Sequence, residues 1–388
     1  MHHAISFYTA AALTSAALLV VPTSALRTGT AGSAFASGSR LTAPSASAAV
    51  VARPSCGPEP VTSVGWRTVF DHLSGTWSGG DGASSTRLPD GRILWLFGDT
   101  LVGGVTASGG RPASTRLVRN SLVVTSGTCV SVVPTANDAL PGRGRTWLWP
   151  THAVVTHTAR PGGASTVTVF SQRVTRTGTG AFGFSRVGAA TISLTVPWQG
   201  APIVGAVQDL PGSATLWGAA TVSDGEVTWI YGTRAVHQPL VFGRDLLLAR
   251  APTATVADPS TWVYRTASGW SGRQSSAAVI RPARLGVSTV PSALRSGQGF
   301  LMVTKPQEFL DDRVVVLTSR TPWGPWSARV VARAGSTTTV PRYSPAFVVP
   351  VAGATTLVVV VSRTTTTVAA LRANASWNRP TFTDVRTS

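Results

Sequence analysis

The sequence predicts an all-β, five-bladed propeller, and three observations carry that prediction. Val, Thr and Trp recur in short runs separated by turn residues, with 39 Gly, 26 Pro and only 12% charged residues, a composition that favours strands. Leu88-Pro-Asp-Gly-Arg-Ile-Leu-Trp-Leu-Phe-Gly98 aligns without a gap on Val222-Ser-Asp-Gly-Glu-Val-Thr-Trp-Ile-Tyr-Gly232, 134 positions later, and more loosely on Leu294–Thr304, 206 positions later. Each copy is a strand end, a Gly-containing turn and an aromatic or β-branched strand, which is a hairpin signal. Finally, 134 halves to 67, and residues 54–388 hold five units of that length. Further hairpins, His152–Phe170 turning at Gly162-Gly163 and Ala346–Val361 turning at Ala352-Gly353, fill the gaps. A sheet that cannot bury both faces alone stacks radially on its copies. A pair of β-sandwiches would not explain the even spacing.

Three regions are expected: a signal peptide over 1–36, a flexible linker over 37–59 and the propeller over 60–388. Ala4 to Val21 is largely apolar, Pro22 follows it, and small residues at Thr23 and Ala25, or Ala34 and Ala36, suit a signal peptidase. No later segment is long and apolar enough to cross a bilayer. A secreted or cell-envelope-associated protein is therefore expected. In such a protein two cysteines, Cys56 and Cys129, are most economically read as one structural disulfide.

The net charge is +18, and Lys305 is the one lysine among 33 basic residues. No run of clustered arginines interleaved with aromatics suggests a nucleic-acid track, so nucleic acid is not an expected partner. The positive surface field would favour anionic cell-envelope polymers. A monomer without cofactor is expected. Gly178-Thr-Gly-Ala-Phe-Gly183 spells a dinucleotide fingerprint but lacks the strand-then-helix context and reads as a hairpin loop. His152 and His157 would face opposite sides of a strand, which disfavours a shared metal.

In a propeller the innermost strand of each blade starts near the channel mouth. Those positions are Asp81, the Trp149–His152 stretch, Trp217, Ser288 and Tyr343-Ser344. Trp149, Trp217 and Tyr343 would offer aromatic faces to sugar rings, and Ser84, Asn120 and Ser288 would offer polar contacts. With 15 acidic residues, elimination is practical. Asp90, Asp224 and Asp258 suit turns; Glu59 and Asp384 lie near the ends; Asp71, Asp209 and Asp245 have no distinguishing context. Asp138, Glu226, Glu308, Asp311 and Asp312 stay open. Asp81 and Asp99 stand out. Asp81 sits in Gly79-Gly-Asp-Gly82, and the repeat has Thr233 where Asp99 stands, so the fold does not need an acid there. Two carboxyl groups are the minimum for glycoside hydrolysis. Asp81 would activate water or attack the anomeric carbon, and Asp99, His152 or Glu308 would protonate the leaving oxygen.

Trp77–Thr100, with its Phe97-Gly-Asp-Thr100 step, resembles bacterial five-bladed propellers of unknown function related to the endo-D-arabinanases. Arg119-Asn-Ser-Leu122, Trp217-Gly-Ala-Ala220, Tyr231-Gly232, Leu248-Ala-Arg-Ala-Pro252 and Gly324-Pro-Trp-Ser327 look like further signatures of that group. The resemblance runs from about Trp66 to about Ser362. It implies a glycoside hydrolase on an arabinan-like or other cell-envelope polysaccharide, or a glycan-binding relative, with Asp81 and Asp99 as the matching acids. Where such proteins often carry Gly-Asp after the second-blade Trp-Pro, this chain has Thr151 and His152. His152, with an ordinary pKa near neutrality, is the candidate replacement proton donor.

Overall fold

The computed structural model describes residues 56–71, 73, 75–133, 137–179, 183–297, 299–337, 339–352, 354 and 356–386. The expected signal peptide and most of the expected linker lie outside the described residues, as do Gly353 and positions 180–182 of the Gly178–Gly183 loop. The last residues of that linker are tied down. Cys56 is bonded to Cys129, Gly57 N donates to Thr128 Oγ1 at 2.9 Å, and Arg87 grips Glu59 with two nitrogens.

The described chain is all-β apart from short helices. Helix α1 (Ser63–Asp71) precedes three strand runs that each break in the middle: β1 (Trp77–Gly80) and β2 (Ser84–Arg87), β3 (Ile93–Phe97) and β4 (Thr100–Val102), β5 (Arg116–Val118) and β6 (Ser121–Ser126). With β7 (Cys129–Val132), the halves pair as two sheets, β1-β4-β5 and β2-β3-β6-β7. The next sheet holds β8 (Thr146–His157), β9 (Ala164–Arg176), β10 (Phe184–Pro197) and β11 (Ile203–Asp209). Then come β12 (Thr215–Ser223), β13 (Val227–Arg234), β14 (Asp245–Pro252), β15 (Val263–Arg265) and β16 (Trp270–Ser271). A fourth group is β17 (Ser292–Ser296), β18 (Gly299–Thr304), β19 (Arg313–Ser319) and β20 (Ser327–Arg333). The last sheet is β21 (Arg342–Phe347), β22 (Thr356–Arg363) and β23 (Thr381–Arg386), with the short helix α2 (Val368–Ala373) before its final strand. Six sheets are thus present among the described residues, all with antiparallel neighbours.

Four of the expected hairpins turn where their glycines stand. β2 and β3 are joined through Asp90 and Gly91, and Asp90 accepts from Arg92 N and Nε. β12 and β13 are joined through Asp224 and Gly225, and β17 and β18 turn near Gly297. Each of those glycines has positive φ, as does Gly162 between β8 and β9. Asp-Gly turns of this kind are local chemistry, which is why the sequence shows them.

The first strands pack in a closed cycle: β2 on β8, β8 on β12, β12 on β17, β17 on β21, and β21 back on β2. Each junction carries a tie at one level. Trp149 Nε1 donates to Asp99 Oδ1 at 2.9 Å, and Thr151 Oγ1 to the Gly218 carbonyl at 2.6 Å. Thr233 Oγ1 donates to Thr289 O at 2.7 Å, and Lys305 Nζ to Arg342 O at 2.5 Å. Gly82 N closes the cycle on Ser362 Oγ at 2.8 Å. At this level the pairing slips in β8, β12 and β21, between Pro150 and His152, Trp217 and Ala220, and Tyr343 and Ala346. Such bulges turn side chains away from the regular alternation.

Apolar clusters fill the spaces between sheets. One joins Trp66 and Phe70 of α1 to Trp77, Trp95 and Phe97 of the first strands and to Phe382 of the last. Asp384 on β23 caps the same helix, accepting from Ser63 N at 2.7 Å and Ser63 Oγ at 3.0 Å. The two ends of the described chain are thereby joined. Among the described residues, no helix is long and apolar enough to cross a membrane.

Gly218 tests how tightly the inner level is packed. Its φ is +77°, and a Cβ there would lie 2.1 Å from Phe170 Cδ1. Gly218→Ala is expected to cost about 3 kcal/mol, from left-handed strain plus overpacking. Urea unfolding should show the midpoint fall by that equivalent, while Gly188→Ala, where a Cβ meets nothing within 4 Å, should change it little.

Candidate active site

The Phe97-Gly98-Asp99-Thr100 step is a unit with one role per residue. Phe97 lies in the aromatic cluster, 5.0 Å from the Trp77 ring. Gly98 leaves room for a carboxylate, because a Cβ there would sit 2.7 Å from Asp81 Oδ1. Thr100 Oγ1 donates to Gly98 O at 2.8 Å and shares a hydrogen bond with Ser121 Oγ. Asp99 is left to project from the break between β3 and β4. Asp81 occupies the facing break between β1 and β2, and backbone bonds join the pair: Asp81 N to Asp99 O at 3.2 Å and Gly98 N to Asp81 O at 2.7 Å.

Side chains from two neighbouring sheets complete the group. Tyr343, at the β21 bulge, donates its hydroxyl to Asp81 Oδ2. Trp149, from β8, donates to Asp99 Oδ1, and Arg119 reaches both Asp99 oxygens at 3.3–3.4 Å. Asp138 accepts from Arg119 N at 2.7 Å. Asn378 Nδ2 donates to Asp99 O at 2.9 Å.

The electrostatics follow from burial and proximity. Burial, then the Asp99 charge, push the Asp81 carboxyl up to about 7, while the Tyr343 hydroxyl pulls it down. Burial raises Asp99 as well, and Arg119 and Trp149 oppose that rise. Tyr343 is pushed well above the usual phenol range by burial and by the Asp81 charge, so it remains a hydrogen-bond donor. Near neutral pH Asp81 is divided between acid and carboxylate, able to give or take a proton.

Of the residues expected at the site, Asp81, Asp99, Trp149 and Tyr343 come together; the others need correction. His152 is not a neutral-pH proton donor. It is buried, its Nε2 lies 3.1 Å from Pro291 O, and burial lowers its pKa to about 4. Trp217 is 1% exposed and packs edge-on against Trp262 and Tyr264, so no face is open to a sugar. Asn120 is buried and bridges backbone, donating to Leu140 O and Leu148 O and accepting from Leu140 N. Ser288 is buried against Thr304 Oγ1, and Ser84 is buried on β2. All four are buried. Glu308 is held by Arg244 at 3.3 Å and by Thr289 N and Oγ1.

Arg119 and Asn378 were not among the expected site residues. Arg119 stood in the Arg119-Asn-Ser-Leu122 signature but carried no charge pattern of its own. Asn378 comes from the turn before β23, where nothing local points to β3. Among the described residues no group of three or more His, Cys, Asp or Glu side chains is placed to hold a metal ion.

Comparison with known proteins places the chain in a family. The family model described as Domain of unknown function (DUF5005) matches residues 66–387. The chain belongs to the DUF5005 family. Among solved structures, the DUF5005 chain is similar to a protein from Bacteroides ovatus ATCC 8483, named only provisionally as a hydrolase. That match has 17% identity and a TM-score of 0.64, over 83% of this chain and 88% of that one, so the two share a fold. A GH43_1 enzyme from Xanthomonas citri matches at 11% identity and a TM-score of 0.45, over 82% and 92% of the two chains. CoXyl43, a GH43 β-xylosidase/α-arabinofuranosidase from a compost microbial metagenome, matches at 11% and 0.43, over 81% and 92%. Those two likenesses are too loose to carry an argument. No curated protein matches the chain.

The raised Asp81 pKa has a consequence for stability. Between the ordinary value of 3.8 and about 7, the folded chain binds more protons than the unfolded one. The Asp81 contribution is therefore most favourable below pH 4 and is lost as pH rises through 7. The full difference is at most on the order of 4 kcal/mol, less in practice because Asp81 keeps some solvent contact. Asp81→Asn should unfold at higher denaturant than the parent at pH 8, with the gap closing toward pH 4. A gap independent of pH would show that folding does not shift the Asp81 pKa.

Proposed function

We propose that the protein is a secreted, carbohydrate-active propeller of five blades that hydrolyses an arabinan-like or other cell-envelope polysaccharide. Five is the number of first strands in the closed cycle. The β1-β4-β5 and β2-β3-β6-β7 sheets count as one blade bent at Asp81, Asp99 and Arg119. The Cys56–Cys129 bond supports an oxidising compartment.

The observation that carries the enzymatic reading is the Asp81 carboxyl, poised at about 7 beside a second carboxyl and bonded to Tyr343. As a base it would take a proton from water attacking the anomeric carbon, with Tyr343 holding Oδ2 and leaving Oδ1 for the water, and the leaving glycosidic oxygen would take its proton from solvent. Asp99, fixed by Trp149 and Arg119, would supply the charge that keeps Asp81 basic enough for this work. The basic surface would draw anionic envelope polymers toward the protein.

A second reading, glycan binding without hydrolysis, is favoured by a different observation. The acids considered as partners of Asp81 are engaged: Asp99 by Trp149 and Arg119, and Glu308 by Arg244 and Thr289. His152 is neutral at pH 7, and its Nε2 is engaged with the Pro291 carbonyl.

Incubation with arabinan and arabinogalactan separates the two readings. Hydrolysis by Asp81 predicts new reducing ends, a rate rising with pH through about 7, and a loss of at least about 100-fold in Asp81→Asn. Equal product from parent and variant would remove Asp81 from the mechanism. Retention on immobilised polysaccharide without product would support the binding reading.

A further inference from the structure

A second feature lies away from Asp81. The β19–β20 side of one sheet and the β22–β23 side of the next enclose a crevice of about 220 Å3. Its floor is apolar, with Val314, Val359 and Phe382, and its rim carries Arg67, Arg333 and Arg342. None of Asp81, Asp99, Trp149 or Tyr343 lines it.

The rim charges are poorly matched within the protein. Arg67 makes no hydrogen bond or ion pair among the described residues. Arg333 reaches Asp312 at 3.6 Å, with both side chains well exposed. Arg342 donates from Nη1 to the Ala334 carbonyl, while its Nε is buried without an acceptor among the described residues. Arg363, paired with Arg342 across β21 and β22, has its Nε in the same condition. Burial, and then the Arg342 charge, lower the Arg363 pKa, with Arg67 adding to the repulsion. Asp71 is the acid felt there, and it is already engaged by Arg379.

Like charges held over an apolar floor are stabilised by an anion that has an apolar body. The guanidinium fork fits a carboxylate through two parallel hydrogen bonds. The volume is below the roughly 300–1,000 Å3 of drug-sized sites, so the occupant is small. We propose that this crevice is a binding site for a small organic carboxylate, its charged end held by Arg67, Arg333 and Arg342 and its hydrocarbon on Val314, Val359 and Phe382. Inorganic phosphate would meet the arginines but leave the floor unused, and an alcohol of the same length would do the reverse.

Calorimetric titration of the full chain with sodium hexanoate, hexan-1-ol and sodium phosphate tests the site. Hexanoate is expected to bind with a low-millimolar or tighter Kd, at least tenfold tighter than the other two. The double substitution Arg67→Gln with Arg333→Gln should weaken hexanoate at least tenfold. Thr383→Trp keeps every charge but sets a bulky ring at an exposed lining position, and should block binding while the thermal midpoint stays near that of the parent. Absence of hexanoate binding, equal binding of hexan-1-ol, or unchanged affinity in Thr383→Trp would overturn the proposal.

Discussion

Sheets arranged in a cycle are stable only when the last meets the first, and that closure is the constraint on which the rest of this structure depends. Here it is made in three ways. β21 packs on β2, Ser362 accepts from Gly82 N, and helix α1 rides on both ends, capped by Asp384 and buried through Trp66 and Phe70. Each large aromatic buried in that cluster is worth roughly 1.5–3 kcal/mol. The polar ties add less individually but set angles, because each joins a side chain to a defined position on the next sheet.

The candidate site is a by-product of the same closure. Asp81 and Tyr343 are 262 residues apart in sequence and meet only because the last sheet returns to the first. Asp99 is part of the next junction, through Trp149. The carboxyl pair therefore sits where two junctions flank two facing strand breaks, half-buried and close together. Burial and mutual repulsion, not any special sequence around Asp81, raise its pKa. Lys305 shows the same position used differently: it stands where the repeat places Asp99, is fully buried, and ties β18 to β21. Burial lowers its pKa to about 8, against the pull of Asp311, Asp312 and Glu308. One position in the repeat thus holds an acid beside the candidate site and a structural base across the ring.

Legibility followed the range of the interactions. The hairpins at Asp90 and Asp224 were readable because an Asp-Gly turn is decided by a few adjacent residues. Gly98 and Thr100 were readable as a motif, although their reasons are spatial: room for Asp81 Oδ1 and bonds to Gly98 O and Ser121. Breaks and bulges fall at Asp81, Trp149–His152, Trp217 and Tyr343, whereas Ser288 lies before the start of β17. What could not be read was which way each side chain turns at a bulge. Trp149 and Tyr343 turn toward the carboxyl groups, whereas Trp217 turns between sheets onto Trp262 and Tyr264, and His152 turns toward Pro291.

By itself the sequence determined the all-β class and the hairpins, and it singled out Asp81 and Asp99. These are properties of neighbouring residues, since strand pattern and turn chemistry act over a handful of positions. Only the tertiary structure decided which aromatics face the acids, that Arg119 and Asn378 join them, that His152 is neutral, and that arginines gather over an apolar crevice. Each of those outcomes depends on contacts between different sheets, and direction and burial at such contacts exist only once the ring is closed.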